Sequence, residues 1–180
     1  MAVESAMVPL GSPAPDFALP DVVNGQLVRR SDLAGPLMVA FLCNHCPYVK
    51  HVESQLGTVL GRYLDLAVVG ICTNDAQAYP DDAAEHLAEQ AARAGWTFPY
   101  LVDADQSVGR AYQAVCTPDF FLYDVEGRLA YRGAFDDSTP GNGRPVTGDL
   151  LADAIERVQR HKPVPEPHRP SMGCSIKWRE

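Results

Sequence analysis

Apolar positions fall into two kinds of run along this chain. Leu37-Met38-Val39-Ala40-Phe41-Leu42 and Leu66-Ala67-Val68-Val69-Gly70-Ile71 are nearly continuous, as expected for strands buried on both faces of a sheet. Val49, Val52, Leu56, Val59 and Leu60 instead recur at helical spacing. They predict a helix from about Cys46 to Leu60, with Pro47 tolerated in its first turn and Gly61 suited to its end. A second helix is expected from about Asp82 to Ala94, between an Asp81/Asp82 start and a Gly95 stop, and a short one from Gln106 to Tyr112. The last has Thr147 as N-cap, Asp149 in its first turn, and Leu150, Leu151, Ala154, Ile155 and Val158 as its apolar face. Tyr100-Leu101-Val102 reads as a short strand. Phe120–Tyr123 and Leu129–Arg132 read as two more, joined by a turn at Glu126-Gly127. Near the start, Ala14–Pro20 and Gln26–Val28 flank Asn24-Gly25, a strong hairpin signal, with Pro15 and Pro20 confining the pair to an edge.

Strands alternating with helices, then a hairpin and a closing helix, predict a three-layer α/β sandwich around a central mixed β-sheet. The N-terminal hairpin precedes it and an extended C-terminal tail follows. The expected division is a flexible N-terminus over residues 1–10, one domain over 11–161 and a Pro-rich tail over 162–180. Pro163 and Pro165 bar the last helix from continuing. Ile176 and Trp178 give the tail something to bury, so docking on the domain is expected. The segment Gly133–Val146 carries no regular pattern, and long loops of that kind are often functional.

The totals narrow the function. Lys+Arg number 15 against 23 Asp+Glu, a net charge of -8, which argues against nucleic acid or an anionic membrane as partner. No apolar run approaches a membrane-spanning length. Met1–Met7 has neither the basic lead nor the apolar core of a secretory signal, so a cytoplasmic location is expected. In that compartment five cysteines are more often chemical than structural.

The chemistry concentrates in Leu42-Cys43-Asn44-His45-Cys46-Pro47-Tyr48. A Cys-x-x-Cys between a buried strand and a helix puts its first thiol where unpaired amides and the helix dipole favour a thiolate. The second thiol is close enough to close a disulfide. Cys43 is therefore expected to attack and Cys46 to resolve, in a thiol–disulfide oxidoreductase. Half of a zinc knuckle is the bland alternative. Structural zinc needs a second Cys/His pair, and Cys72, Cys116 and Cys174 stand singly. A non-enzymatic metal-binding protein using Cys43, Cys46 and His45 or His51 is a further alternative. His45 is expected to stabilise a thiolate on Cys43. Cys72 and Cys116 suit buried, small apolar positions.

The motif order carries a resemblance. A strand, a Cys-x-x-Cys opening a helix, and a later Thr117-Pro118 before a hairpin strand resemble thioredoxin. Ala14-Pro15-Asp16-Phe17-Ala18-Leu19 and the extra Asp82–Ala94 helix are closer to the redoxins, the alkyl hydroperoxide reductase/thiol-specific antioxidant branch. Phe41–His51 and the tail Gly173-Cys174-Ser175-Ile176-Lys177-Trp178 resemble a peroxiredoxin-like thioredoxin subfamily. The resemblance implies a cis Pro118 facing the disulfide, with the Thr117 backbone open for a substrate peptide to pair as an added strand. It places Cys116 near the disulfide, and it brings Cys174 to the same end of the domain as a candidate third redox thiol. It also offers a second activity, an antioxidant thiol peroxidase with Cys46 peroxidatic and Cys43 or Cys174 resolving. The partners so implied are a protein or small-molecule disulfide, or a peroxide, and a thiol reductant, with no cofactor. Thioredoxin carries an acid on the strand before its disulfide. Leu37–Leu42 has none.

Overall fold

The computed structural model describes all 180 residues. Three short strands come first: Ala2–Glu4 (β1), Ala18–Pro20 (β2) and Leu27–Arg29 (β3). The apolar run then forms Leu37–Phe41 (β4), buried at every position. It is followed by Pro47–Leu60 (α1), Ala67–Cys72 (β5), Ala84–Ala94 (α2), Tyr100–Val102 (β6) and Ser107–Ala111 (α3). The chain closes with Cys116–Thr117 (β7), Asp119–Tyr123 (β8), Leu129–Gly133 (β9), Asp149–Gln159 (α4) and Met172–Ser175 (β10).

β4 lies at the centre of a five-stranded sheet ordered β6-β5-β4-β8-β9. β5 runs parallel to it and β8 antiparallel, giving the mixed sheet of a thioredoxin-like α/β fold. Alternation along β4 divides the core. Met38 and Ala40 point into a cluster with Val52 and Leu56 of α1, Leu87 of α2 and Ile155 of α4. Val39 and Phe41 point the other way, into a cluster with Phe17, Val108, Tyr112 and Ile176 of the tail. Two continuous apolar strands are stable here because a layer of other elements covers each face.

Several boundaries differ from expectation for identifiable reasons. α1 begins at Pro47 with Cys46 as its N-cap residue. α2 begins only at Ala84, because Pro80–Asp82 form a separate 3₁₀ turn that carries Asp82 inward. Gly148 takes the N-cap of α4 in place of Thr147. The carboxylate of Asp136, from the long loop, accepts the amides of Thr147 and Gly148 at 2.7 and 2.8 Å. The Thr147 hydroxyl still accepts the Asp149 amide, at 3.4 Å.

The largest departure concerns the two ends. Residues 1–10, expected to be flexible, carry β1, and β1 pairs antiparallel with β10 of the tail. β10 pairs in turn with β7, in a second sheet ordered β1-β10-β7. The tail is fixed along its length. Ser171 bonds Gly133 and Ser5, Ile176 is 4% exposed, and the Lys177 amide donates to Asn74 at 2.8 Å. The Arg110 guanidinium lies 4.5 Å over the Trp178 ring. Burying an isoleucine side chain alone stabilises by about 1.5–3 kcal/mol.

Candidate redox site

Strand β4 delivers the chain to Leu42 and Cys43 in the core, and Asn44-His45 turns it into α1. Cys43 Sγ lies 3.1 Å from Thr117 Oγ1, and the Cys46 thiol donates to the Thr117 carbonyl at 3.2 Å. Thr117-Pro118 is cis. Both motif thiols are fully buried. Each bears on the other's ionisation, and Cys174, paired opposite Thr117, bears on that of Cys46. Three thiols therefore gather around Thr117. Cys116 is buried beside them, its thiol 3.7 Å from the Pro118 carbonyl, and burial pushes it up, which disfavours the nucleophilic thiolate. Cys72, at the end of β5, is buried and pushed up in the same way.

The electrostatics of the two motif thiols run opposite to the roles expected of them. Cys46 is the N-cap residue of α1, so the positive end of the helix lies at that sulfur and not at Cys43. The Cys43 hydrogen bond holds Cys46 down to about 4, against the opposing effect of burial, and contacts with Cys174 and the Val49 amide add to it. Cys43 moves the other way. Its hydrogen bond to Cys46, its burial and the negative charge of Asp82 all raise it. These shifts favour a thiolate on Cys46 and a proton on Cys43, the reverse of the expected order, and the bond to the Thr117 carbonyl belongs to the thiol form of Cys46.

His45 lies beside Cys43 but is held by another partner. Its Nδ1 is 2.6 Å from Asp82 Oδ2, and its ring stacks on Tyr79 at 5.3 Å. The bond to Asp82 raises its pKa. Asp82 also accepts the Asn44 amide at 2.7 Å and Asn74 Nδ2 at 2.8 Å. Burial opposes ionisation there, but these bonds outweigh it and hold the carboxyl below its usual value. The imidazolium expected to favour a Cys43 thiolate thus comes with a buried counter-charge that disfavours one.

Cys43, His45 and Asp82 offer three ligand atoms within 4.8 Å of one another, a mixed set that a zinc-like ion accepts. His51, named with them from sequence, is turned away to Ser138 at 3.0 Å. It lines a cleft of about 230 Å³ with Tyr48, Pro118, Phe135 and Arg169.

Sequence reasoning missed three contributors. Asp82 looked like a helix start, and only the fold brings it to His45. Gln90 holds the Cys43 carbonyl at 2.9 Å and is itself held by Tyr100 at 3.0 Å. Asp119, directly after Pro118, is fully buried with both carboxyl oxygens unpartnered, and burial pushes it well up. The expected open strand edge at Thr117 is also corrected. Thr117 is 2% exposed, because β10 pairs with it, Cys174 opposite Thr117.

Residues 10–132 match the AhpC/TSA family. The chain belongs to that family. Among AhpC/TSA relatives, it is 28% identical over 155 residues to the thiol-disulfide oxidoreductase ResA of Geobacillus kaustophilus (strain HTA426), covering 86% of this chain and 78% of that one. An uncharacterized conserved protein from Geobacillus kaustophilus superposes with a TM-score of 0.96 at 45% identity, over 99% of this chain and 97% of the other. A hypothetical protein from Sinorhizobium meliloti 1021 superposes with a TM-score of 0.95 at 46% identity, over 98% of each. The AhpC/TSA match ends near β9, so the tail that completes the thiol cluster lies beyond it.

Proposed function

We propose that this AhpC/TSA protein is a thiol–disulfide oxidoreductase whose redox centre is Cys43 with Cys46. The observation that carries the reading is the pair itself: two buried thiols three residues apart, one at a helix N-cap, both in contact with Thr117 before a cis proline. The Cys46 thiolate attacks one sulfur of a substrate disulfide, which leaves as a thiolate. Cys43 then gives up its proton and attacks Cys46 Sγ, closing the Cys43–Cys46 disulfide and releasing the second substrate thiol. The name of the ResA relative supports the reaction class. No helix is long and apolar enough to cross a membrane, and the reading includes a cytoplasmic, reducing location, which cell fractionation tests.

Thiol counting under denaturation tests the pair. Mild oxidation should remove two free thiols, and Cys46→Ser should abolish that loss. The reduced protein should also catalyse insulin reduction by dithiothreitol. A parent-like loss in Cys46→Ser defeats the pairing.

One observation favours a second reading. The favoured thiolate is Cys46, the position that matches the peroxidatic cysteine of peroxiredoxins, and a low-pKa thiolate is what peroxide oxidises. Peroxide-dependent NADPH consumption with a thiol reductase present, and no insulin reduction, would select that reading.

A further inference from the structure

The motif pair is less accessible than the tail thiol. Cys43 and Cys46 are 0% exposed, whereas Cys174, opposite Thr117, is only half-buried. The tail strand explains both facts. β10 lies antiparallel on β7 with Cys174 opposite Thr117, the residue that touches both motif thiols. An extended segment adding to a strand edge is how many proteins seat a peptide ligand, and here the chain seats its own tail. The fit depends on Gly173. A Cβ there would stand 1.9 Å from the Thr117 carbonyl oxygen and 3.0 Å from Pro118 N. Any side chain would lift the strand off the active loop. The seat is fixed on its other side too, where Ala2 pairs with Cys174 and Val3 with Gly173.

We propose that Cys174 is a third redox thiol that exchanges with the buried pair and connects it to outside thiols. This rests on the oxidoreductase reading above. In the oxidised protein the Cys174 thiolate attacks Cys46 Sγ. The Cys46–Cys174 bond forms and the Cys43–Cys46 bond breaks. Cys43 leaves as a thiolate and takes up the proton that Cys174 released, so no net oxidation occurs. An outside thiol, a low-molecular-weight or protein reductant, then attacks the half-exposed Cys174 sulfur and expels the Cys46 thiolate. A second outside thiol attacks that mixed disulfide and frees Cys174. Two outside thiols become one disulfide, and one protein disulfide becomes two thiols.

Disulfide mapping by peptide mass spectrometry tests this on the full chain, using diamide as the oxidant that joins two thiols. Wild type should close Cys43–Cys46. Cys43→Ser should close Cys46–Cys174 within one chain. Adding Gly173→Ala to Cys43→Ser keeps every remaining sulfur but displaces the strand, and should slow that closure at least about tenfold. In otherwise wild-type protein, Cys174→Ser should slow reduction of the Cys43–Cys46 disulfide by glutathione by a similar factor. If Cys43→Ser yields only chain-to-chain dimers or a Cys46 sulfenate while wild type closes its pair, the proposal falls and the oxidoreductase reading stands. Unchanged reduction in Cys174→Ser also overturns it. A wild type that closes no Cys43–Cys46 disulfide overturns the reading and the exchange together.

Discussion

At the scale of single residues, the acids around the redox site do more than the sequence suggests. Asp82 fixes the Asn44-His45 turn through two hydrogen bonds and is itself held by Asn74. Its folded pKa is lowered and that of His45 is raised. The Asp82 share of the stability is therefore present above its unfolded value of about 3.9 and lost as pH falls through the folded value. The His45 share is full below about 6.5 and lost as pH rises through its raised value. Asp82→Asn should cost about 1.5–3 kcal/mol in urea unfolding, the worth of a hydrogen bond to a charged group. In the same variant the His45 titration followed by NMR should fall, and so should the pKa of Cys43, relieved of a neighbouring charge. An unmoved His45 titration would refute the pairing. Asp119 has the opposite sign. Its folded pKa is raised by burial without a partner, so it weakens the fold progressively as pH climbs from about 3.9. Asp119→Asn keeps the volume and removes the titration. It should raise the melting temperature at pH 8 and flatten its fall between pH 5 and 8. A fall as steep as in wild type would show that Asp119 ionises without penalty.

At the scale of elements, β10 decides what the site looks like, and its anchor is Ile176. Ile176→Ala should cost about 2 kcal/mol or more, concentrated in the tail. Opening of that segment alone would then speed amide hydrogen exchange at Ser175 and Ile176 by ~30-fold or more, with Val39 of β4 little changed. Equal acceleration at Val39 would mean that the tail is not a separable unit. The contrast between β4 and β10 also shows what the chain discloses of itself. β4, β5 and α1 were legible because each announces its burial by a local pattern: a continuous apolar run or a 3.6-residue period. β10, with Met172, Gly173, Cys174 and Ser175, has neither. It is a strand because of a partner far away in sequence and because Gly173 permits contact with Thr117. β1 and β7 were illegible for the same reason, being short strands that exist only by pairing with it. The site divided similarly. Cys43, Cys46, Thr117 and Pro118 were legible from spacing and resemblance. The ownership of the helix start, the His45–Asp82 bond and the isolation of Asp119 depend on contacts between residues many positions apart.

At the scale of the whole molecule, the redox couple should report how many protons the centre carries. On the proposed reading the reduced form holds a thiolate at Cys46, whose pKa is lowered to about 4, and a thiol at Cys43, raised above the ordinary range. Between those two limits, closing the disulfide releases two electrons and a single proton. Each proton in a two-electron couple moves the midpoint by about 30 mV per pH unit. The reduction potential should therefore fall by about 30 mV per unit from pH 5 to 8, against about 59 mV if both thiols were protonated. Stabilising the thiolate also stabilises the reduced state, so the midpoint at pH 7 should lie above the roughly −270 mV of thioredoxin. Equilibration in glutathione buffers across that pH range, with the thiols trapped and counted, measures slope and midpoint together. Asp82→Asn removes a charge that raises Cys43 and leaves the α1 N-cap in place, so it should preserve the shallow slope. Displacing Cys46 from the first-turn amides should steepen it. A wild-type slope near 59 mV per unit would place a proton on both sulfurs and remove Cys46 as the resident thiolate, whatever the midpoint.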